Sequence, residues 1–181
     1  MVRISRATRT PTSARAIVET TFVTRWASVA GVDVVLRGIR RDEVAPAVAL
    51  IAEGTLSPGV EDARRLEEYW DAVLETRSHG GDVVVALDDD EVIGVCQLVV
   101  FRHFQRTAGW CAEVESVYVR SDQRGRGVGS ALMGFVEEIA RVRGCYRLQL
   151  TSRNERVDAH RFYLSLGYDQ MSQGFKKSLV E

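Results

Sequence analysis

Apolar positions along the chain follow two periods, and the switches between them mark out its elements. The run from Val34 to Ile39 predicts a strand. Asp42 is then placed to cap a helix through Val44, Val48 and Ile51, with Pro46 tolerated in its first turn. Between Asp62 and Thr76, residues Ala63, Leu66, Trp70, Val73 and Leu74 recur at helical spacing until Gly80 and Gly81 end the helix. Val83 to Leu87 and Val92 to Phe101 form two apolar runs on either side of Asp88, Asp89 and Asp90, the pattern of a hairpin. Three adjacent aspartates also suggest metal ligands, but a turn accounts for polar residues between two strands, and no metal site is predicted.

Glu113 to Val119 predicts a further strand, and Val128, Leu132, Phe135, Val136 and Ile139 then lie on one stripe of a helix stopped by Gly144. Tyr146, Leu148 and Leu150 alternate as a strand, Asp158 to Leu166 predicts a last helix, and short runs around Tyr168 and Phe175 are expected to complete the sheet. This order fits an α/β (α+β) fold: a mixed, mostly antiparallel sheet of six to seven strands, flanked by about four helices, with a central βαβ crossover. The first residues stand apart, because Arg3, Arg6, Arg9, Arg15 and Arg25 face only Glu19, with Ser and Thr between them. Residues 1–32 therefore read as a basic N-terminal arm and residues 33–181 as one domain, a short helix through Ile17, Phe22 and Trp26 being the alternative within the arm.

Charge and cysteine usage narrow the partners. A formal charge of −1 supplies no basic field for nucleic acid, and no apolar run is long enough to span a bilayer. Cys96, Cys111 and Cys145 are odd in number and sit in apolar runs, which suits reduced core thiols and a cytoplasmic protein.

The chemistry concentrates in Arg124, Gly125, Arg126, Gly127, Val128, Gly129 and Ser130, a glycine-rich turn entering a helix. Unpaired amides at a helix start, two arginines and the absence of side chains at the glycines make a phosphate site. A P-loop needs Gly-Lys followed by Ser or Thr, and the nearest lysine is Lys176. A dinucleotide fingerprint counted from Gly125 puts Ser130 where its third glycine belongs.

Val117-Tyr118-Val119, the Arg124–Gly129 run, and Phe162-Tyr163 with Gly167-Tyr168 resemble the Gcn5-related N-acetyltransferase (GNAT) superfamily in content, spacing and order, over about residues 34–179. The resemblance implies that Arg124, Gly127 and Gly129, with Gly125, Arg126, Val128 and Ser130 beside them, cradle the pyrophosphate of acetyl-coenzyme A. It implies that the backbone of Val117, Tyr118 and Val119 pairs with the pantetheine amides like an added strand, and that Tyr163 is the general acid for the leaving thiolate. Asn154 stands near the place of a cofactor-binding asparagine of the family, but the matching position holds Arg156.

Amine acetylation needs a neutral nucleophile, and an alkylammonium with a pKa near 10.4 is deprotonated in about one molecule per thousand or fewer at pH 7, a cost of about 4–5 kcal/mol. Glu113 and Glu115 lie two apart on a strand and so share a face, which period-2 counting also gives to Val117 and Val119. Either acid could take the ammonium proton. Glu113 matches the base of related histone acetyltransferases and Glu115 an acid of relatives that modify sugar amines. The stretch Asp158 to Tyr163 resembles a subgroup that includes aminoalkylphosphonate N-acetyltransferases, whose anionic acceptor Arg102, His103 or Arg106 would receive. The resemblance thus implies transfer of acetyl from acetyl-CoA to a small-molecule primary amine by a homodimer. A protein lysine or N-terminus as acceptor, or acyl-CoA sensing without turnover, are the alternatives.

Overall fold

The computed structural model describes residues 24–29 and 31–179. One six-stranded sheet runs in chain order: β1 (Arg25–Val29), β2 (Val32–Gly38), β3 (Asp82–Asp88), β4 (Glu91–Arg102), β5 (Trp110–Val119) and β6 (Cys145–Leu150). The first five strands pair antiparallel, and β5 and β6 pair parallel. Helices α1 (Val44–Gly54), α2 (Leu66–Ser78), α3 (Val128–Val142) and α4 (Val157–Ser165) pack against it. The parallel crossover β5–α3–β6 occupies the β6 end of the sheet.

Each helix face buries its stripe against one side of the sheet. Val128, Leu132, Met133, Phe135 and Val136 of α3 press on Val34, Leu36, Val84, Ala86, Ile93 and Leu98. The opposite side seats Val44, Ala47, Val48 and Leu50 of α1 and Val73 of α2 on Val85, Leu87, Val92 and Val95. Each such aliphatic side chain stabilises the fold by roughly 1.5–3 kcal/mol. The Asp89–Asp90 turn takes positive φ at both residues (45° and 68°), the primed geometry that suits a tight hairpin.

Several expectations are corrected. Arg25–Val29, assigned to the arm, is a strand paired with β2 across a turn at Gly31 (φ 83°), because Ala27 and Val29 alternate toward the α3 core. The rest of the arm before Thr24, with Ile17 and Phe22, lies outside the described residues. Asp42 does not cap α1. A 3₁₀ turn (Arg41–Glu43) precedes the helix, and Glu43 reaches back to the Arg40 amide at 2.7 Å. Helix α2 starts at Leu66 rather than near Asp62, whose carboxylate accepts from the Arg64 amide and guanidinium in a turn of its own. Beyond α4, no strand forms among the described residues. Tyr168 packs on the core, whereas Met171 and Phe175 are exposed, since Gly174 and Lys176-Lys177 leave too short an apolar run.

Candidate active site

One extra residue in β5 shapes the site. Against β4, Tyr118 pairs with Val95 and Glu115 with Gln97, so three steps on β5 match two on β4, and Ser116 takes φ 53° within this bulge. The alternation of side chains therefore flips. Ala112 and Val114 face the α3 core, and after the bulge Val117 and Val119 face it too, while Tyr118 joins the α1 side. Glu113 and Glu115 consequently do not share a face with Val117 and Val119, as simple counting implied. On its other side β5 pairs with β6 only as far as Val114 and Leu150. Glu115 to Val119 thus present an edge with no strand partner on that side among the described residues, next to the glycine-rich turn.

That turn is built to receive an anion. Gly127 stands at the helix cap with φ 95°, Gly125 has φ 73°, and no side chain of the described residues caps α3. The first intrahelical bond runs from the Ala131 amide to the Gly127 carbonyl at 3.0 Å, which leaves the amides of Val128, Gly129 and Ser130 free of helical acceptors. A side chain at Gly127 would be strained and would meet Val29 at 3.3 Å, and one at Gly129 would meet Phe162 of α4 at 3.1 Å. Buried Gln123 accepts from Arg126 at 2.8 Å, and Arg124 donates to the Val119 carbonyl at 3.0 Å, tying the turn to the end of β5. The residues present fit a pyrophosphate at this helix start.

The two acids differ in surroundings. Gln149 of β6 donates to Glu113 at 2.9 Å. Burial and then the neighbouring Glu113 push the Glu115 carboxyl above its ordinary range, with Lys176 opposing. Tyr163 of α4 sits half-buried, its ring 5.2 Å from that of Phe162 and 5.9 Å from that of Tyr168. Burial, with Cys96 and Glu115 in electrostatic reach, raises its phenol, and Arg156 counteracts them. Tyr163 thus packs on the α3 side of the sheet, with Glu115 within its electrostatic reach. The Cys96 thiol is wholly buried and pushed up to about 12, which suits packing and not nucleophilic chemistry.

Asn154 is exposed on the loop before α4 and takes no part in the bonds that hold this loop. Those come from neighbours that sequence reasoning did not assign. Arg156 donates to the Gly54 carbonyl at 2.9 Å and stacks 5.4 Å over Tyr118, and Arg153 donates to the Ser57 hydroxyl at 2.8 Å. His160 bonds the Arg153 carbonyl at 2.9 Å, a structural contact. The Tyr118 side chain packs against the end of α1, where a Cβ at Gly54 would lie 2.5 Å from its ring. Gln149 was detectable only as a polar residue between Leu148 and Leu150.

Several known proteins are similar to this chain. An aminoalkylphosphonate N-acetyltransferase from Salmonella typhimurium is 38% identical over 95 residues, 52% of this chain and 61% of that protein. A probable glucosamine 6-phosphate N-acetyltransferase from Drosophila melanogaster is 32% identical over 92 residues, 49% of this chain and 41% of that protein. The chain thus spans less than two thirds of the length of these two relatives. Among solved structures, a transcriptional regulator from Bacillus halodurans C-125 has a TM-score of 0.75 at 29% identity, covering 81% of this chain and 99% of that one. Glucosamine-6-phosphate N-acetyltransferase from Arabidopsis thaliana shares the fold, with a TM-score of 0.70 at 17% identity over 81% of this chain and 99% of its own. Residues 47–168, well over half of the sequence and including the bulged strand, the glycine-rich turn and Tyr163, match the acetyltransferase (GNAT) family, and the chain belongs to it.

Proposed function

We propose that this protein transfers the acetyl group of acetyl-CoA to the primary amine of a small molecule by direct attack on the thioester. The observation that carries this reading is the meeting of an open β5 edge with a helix start that no side chain of the described residues caps, beside which a side chain at Gly129 would meet Phe162, the neighbour of Tyr163. Acetyl-CoA supplies the activated acetyl thioester. The amides of Val128, Gly129 and Ser130 hold its pyrophosphate, and the free backbone of Val117 to Val119 aligns its pantetheine arm. An amide of this edge donates to the thioester oxygen, where charge develops during attack.

Glu115 is the base in this scheme. Its raised carboxyl binds a proton more readily than an exposed acid, so it accepts one from the ammonium, directly or through water, at a smaller penalty. Glu113, occupied by Gln149, adds negative charge that attracts the ammonium. Tyr163 donates to the departing thiolate. An ordinary phenol lies above a thiol by an amount worth about 2 kcal/mol, and the shift at Tyr163 widens that gap, so the hydroxyl acts by hydrogen bonding and not by full transfer.

A small acceptor is favoured over a peptide because the Arg153–Ser57 and Arg156–Gly54 bonds draw the loop after α1 against the loop before α4. The named relatives act on an aminoalkylphosphonate and on glucosamine 6-phosphate, both small amines with an anionic group. Free Cys96, Cys111 and Cys145 suit a reducing compartment such as the cytoplasm. Thiol release from acetyl-CoA, followed across aminophosphonates, amino sugars, polyamines and peptides, tests the reading. Turnover with a small amine is expected, and turnover restricted to peptides would refute the acceptor class.

A further inference from the structure

Of the 24 lysine and arginine side chains in this sequence, only Lys176 and Lys177 are lysines. A guanidinium keeps its proton in proteins and does not attack a thioester, so every side-chain amine open to acetylation lies at one point of the chain, in the segment after α4. Both lysines are exposed, and neither forms an ion pair among the described residues. Met171, Phe175 and Leu179 around them are exposed as well, so no apolar burial commits this stretch to a core.

The segment nevertheless returns to the strand that bears the acids. Leu150 of β6 pairs with Val114 of β5, and Thr151 and Glu115 are the next residues along each chain, where the two strands part. Gly174 lies against that point, since a Cβ on it would meet the Thr151 methyl carbon at 3.9 Å. Lys176 follows Gly174 by two residues, at most about 7 Å of extended chain, and its side chain adds four methylene groups of reach. Its ammonium stands in electrostatic reach of the Glu115 carboxyl and is the one cation among the described residues that acts on it. Lys177, next in sequence, does not act on it.

We infer that Lys176 is a self-modification site, whose ε-amine accepts the acetyl group of the donor bound to the same chain. The inference rests on the acetyl-transfer reading. Glu115 takes one proton from the ammonium, and the freed nitrogen attacks the acetyl carbonyl carbon. The C–N bond forms as the C–S bond breaks, and the second nitrogen proton passes to the departing sulfur, releasing the coenzyme as its thiol. The proton on Glu115 returns to water, so the net products are an amide at Lys176, a thiol and one proton. A tethered amine meets the donor at an effective concentration on the order of millimolar. Unlike a free peptide, it needs no groove of its own.

Incubation of the full chain with acetyl-CoA and no other amine, followed by mass spectrometry of the intact protein and its fragments, tests this. One acetyl group at Lys176 is expected, gained at least about tenfold faster than at Lys177 and at a rate independent of protein concentration. K176R should abolish it, and K177R should leave it unchanged. Equal labelling of the two lysines is chemical acetylation by the thioester and would overturn the assignment, as would a rate that rises with protein concentration. A second readout needs no donor. Lys176 opposes the upward shift of the Glu115 carboxyl, so in the protein without acetyl-CoA that carboxyl, followed by NMR, should titrate at higher pH in K176Q and unchanged in K177Q. An unmoved titration in K176Q would contradict the placement of this lysine beside the acid. Small amines acetylated while Lys176 stays bare would overturn the self-modification and leave the transfer reading standing. Failure to acetylate any amine would remove that reading, and the inference with it.

Discussion

At Ser116 the backbone turns to φ 53° to take up one extra residue in β5, and that residue divides the stretch bearing the two acids from the edge proposed to hold the donor. Before it, Glu113 and Glu115 point away from the α3 core, and after it Val117 and Val119 point into that core. The shared face of the two acids was legible from spacing alone, because period 2 holds within a regular strand. The flip was not, since a serine in a strand carries no signal for a bulge. The raised carboxyl of Glu115 has a consequence for rate. A base works only as carboxylate, so kcat/KM should fall as pH drops through the raised pKa of Glu115. Glu115→Gln should lower kcat/KM about a hundredfold at neutral pH and remove that acidic limb from the pH profile. Tyr163→Phe should lower kcat by about a hundredfold with little change in acetyl-CoA affinity, and wild-type turnover across pH would exclude the phenol from the mechanism.

Among the elements, α3 was the most legible, because its apolar stripe and its stop at Gly144 (φ 72°) are strong local signals. The hairpin of β3 and β4 was legible for the same reason. Strand β1 was not, since Arg25-Trp26-Ala27-Ser28 shows neither a β-branched run nor a long alternation, and it owes its state to the edge that β2 offers. The segment after α4 failed in the opposite direction, its isolated aromatics suggesting strands that no partner among the described residues supports. Gly127 is where element and function meet, for it turns the chain into α3 at φ 95° and leaves the helix amides bare. Gly127→Ala is expected to destabilise the fold by about 1 kcal/mol in chemical denaturation and to weaken acetyl-CoA binding together with it. A stability loss with unchanged affinity would separate the turn from the ligand.

On the scale of the molecule, the two cores are joined through the sheet, and a buried pair fixes how α1 leaves β2. Arg37 holds Glu43 through both carboxylate oxygens, one bond measuring 2.8 Å, and the Arg40 amide adds a third contact. Burial pushes the Glu43 carboxyl up, but these bonds outweigh it and hold it below its ordinary range. Its stabilising contribution is therefore complete above the ordinary carboxylate pKa and is lost as pH falls through the lowered one. Glu43→Gln should cost about 3 kcal/mol at neutral pH, measured by urea unfolding, and should flatten the acid side of the stability profile.

The central claim is that the glycine-rich start of α3 binds the pyrophosphate of acetyl-CoA beside the open edge of β5. Isothermal titration of the protein with acetyl-CoA, compared with S-acetylpantetheine, which lacks the pyrophosphate, tests it most directly. Saturable binding of acetyl-CoA at one site, weaker by at least about tenfold for the truncated thioester, is the predicted result. Equal affinity for the two, or no binding of acetyl-CoA at all, would contradict it.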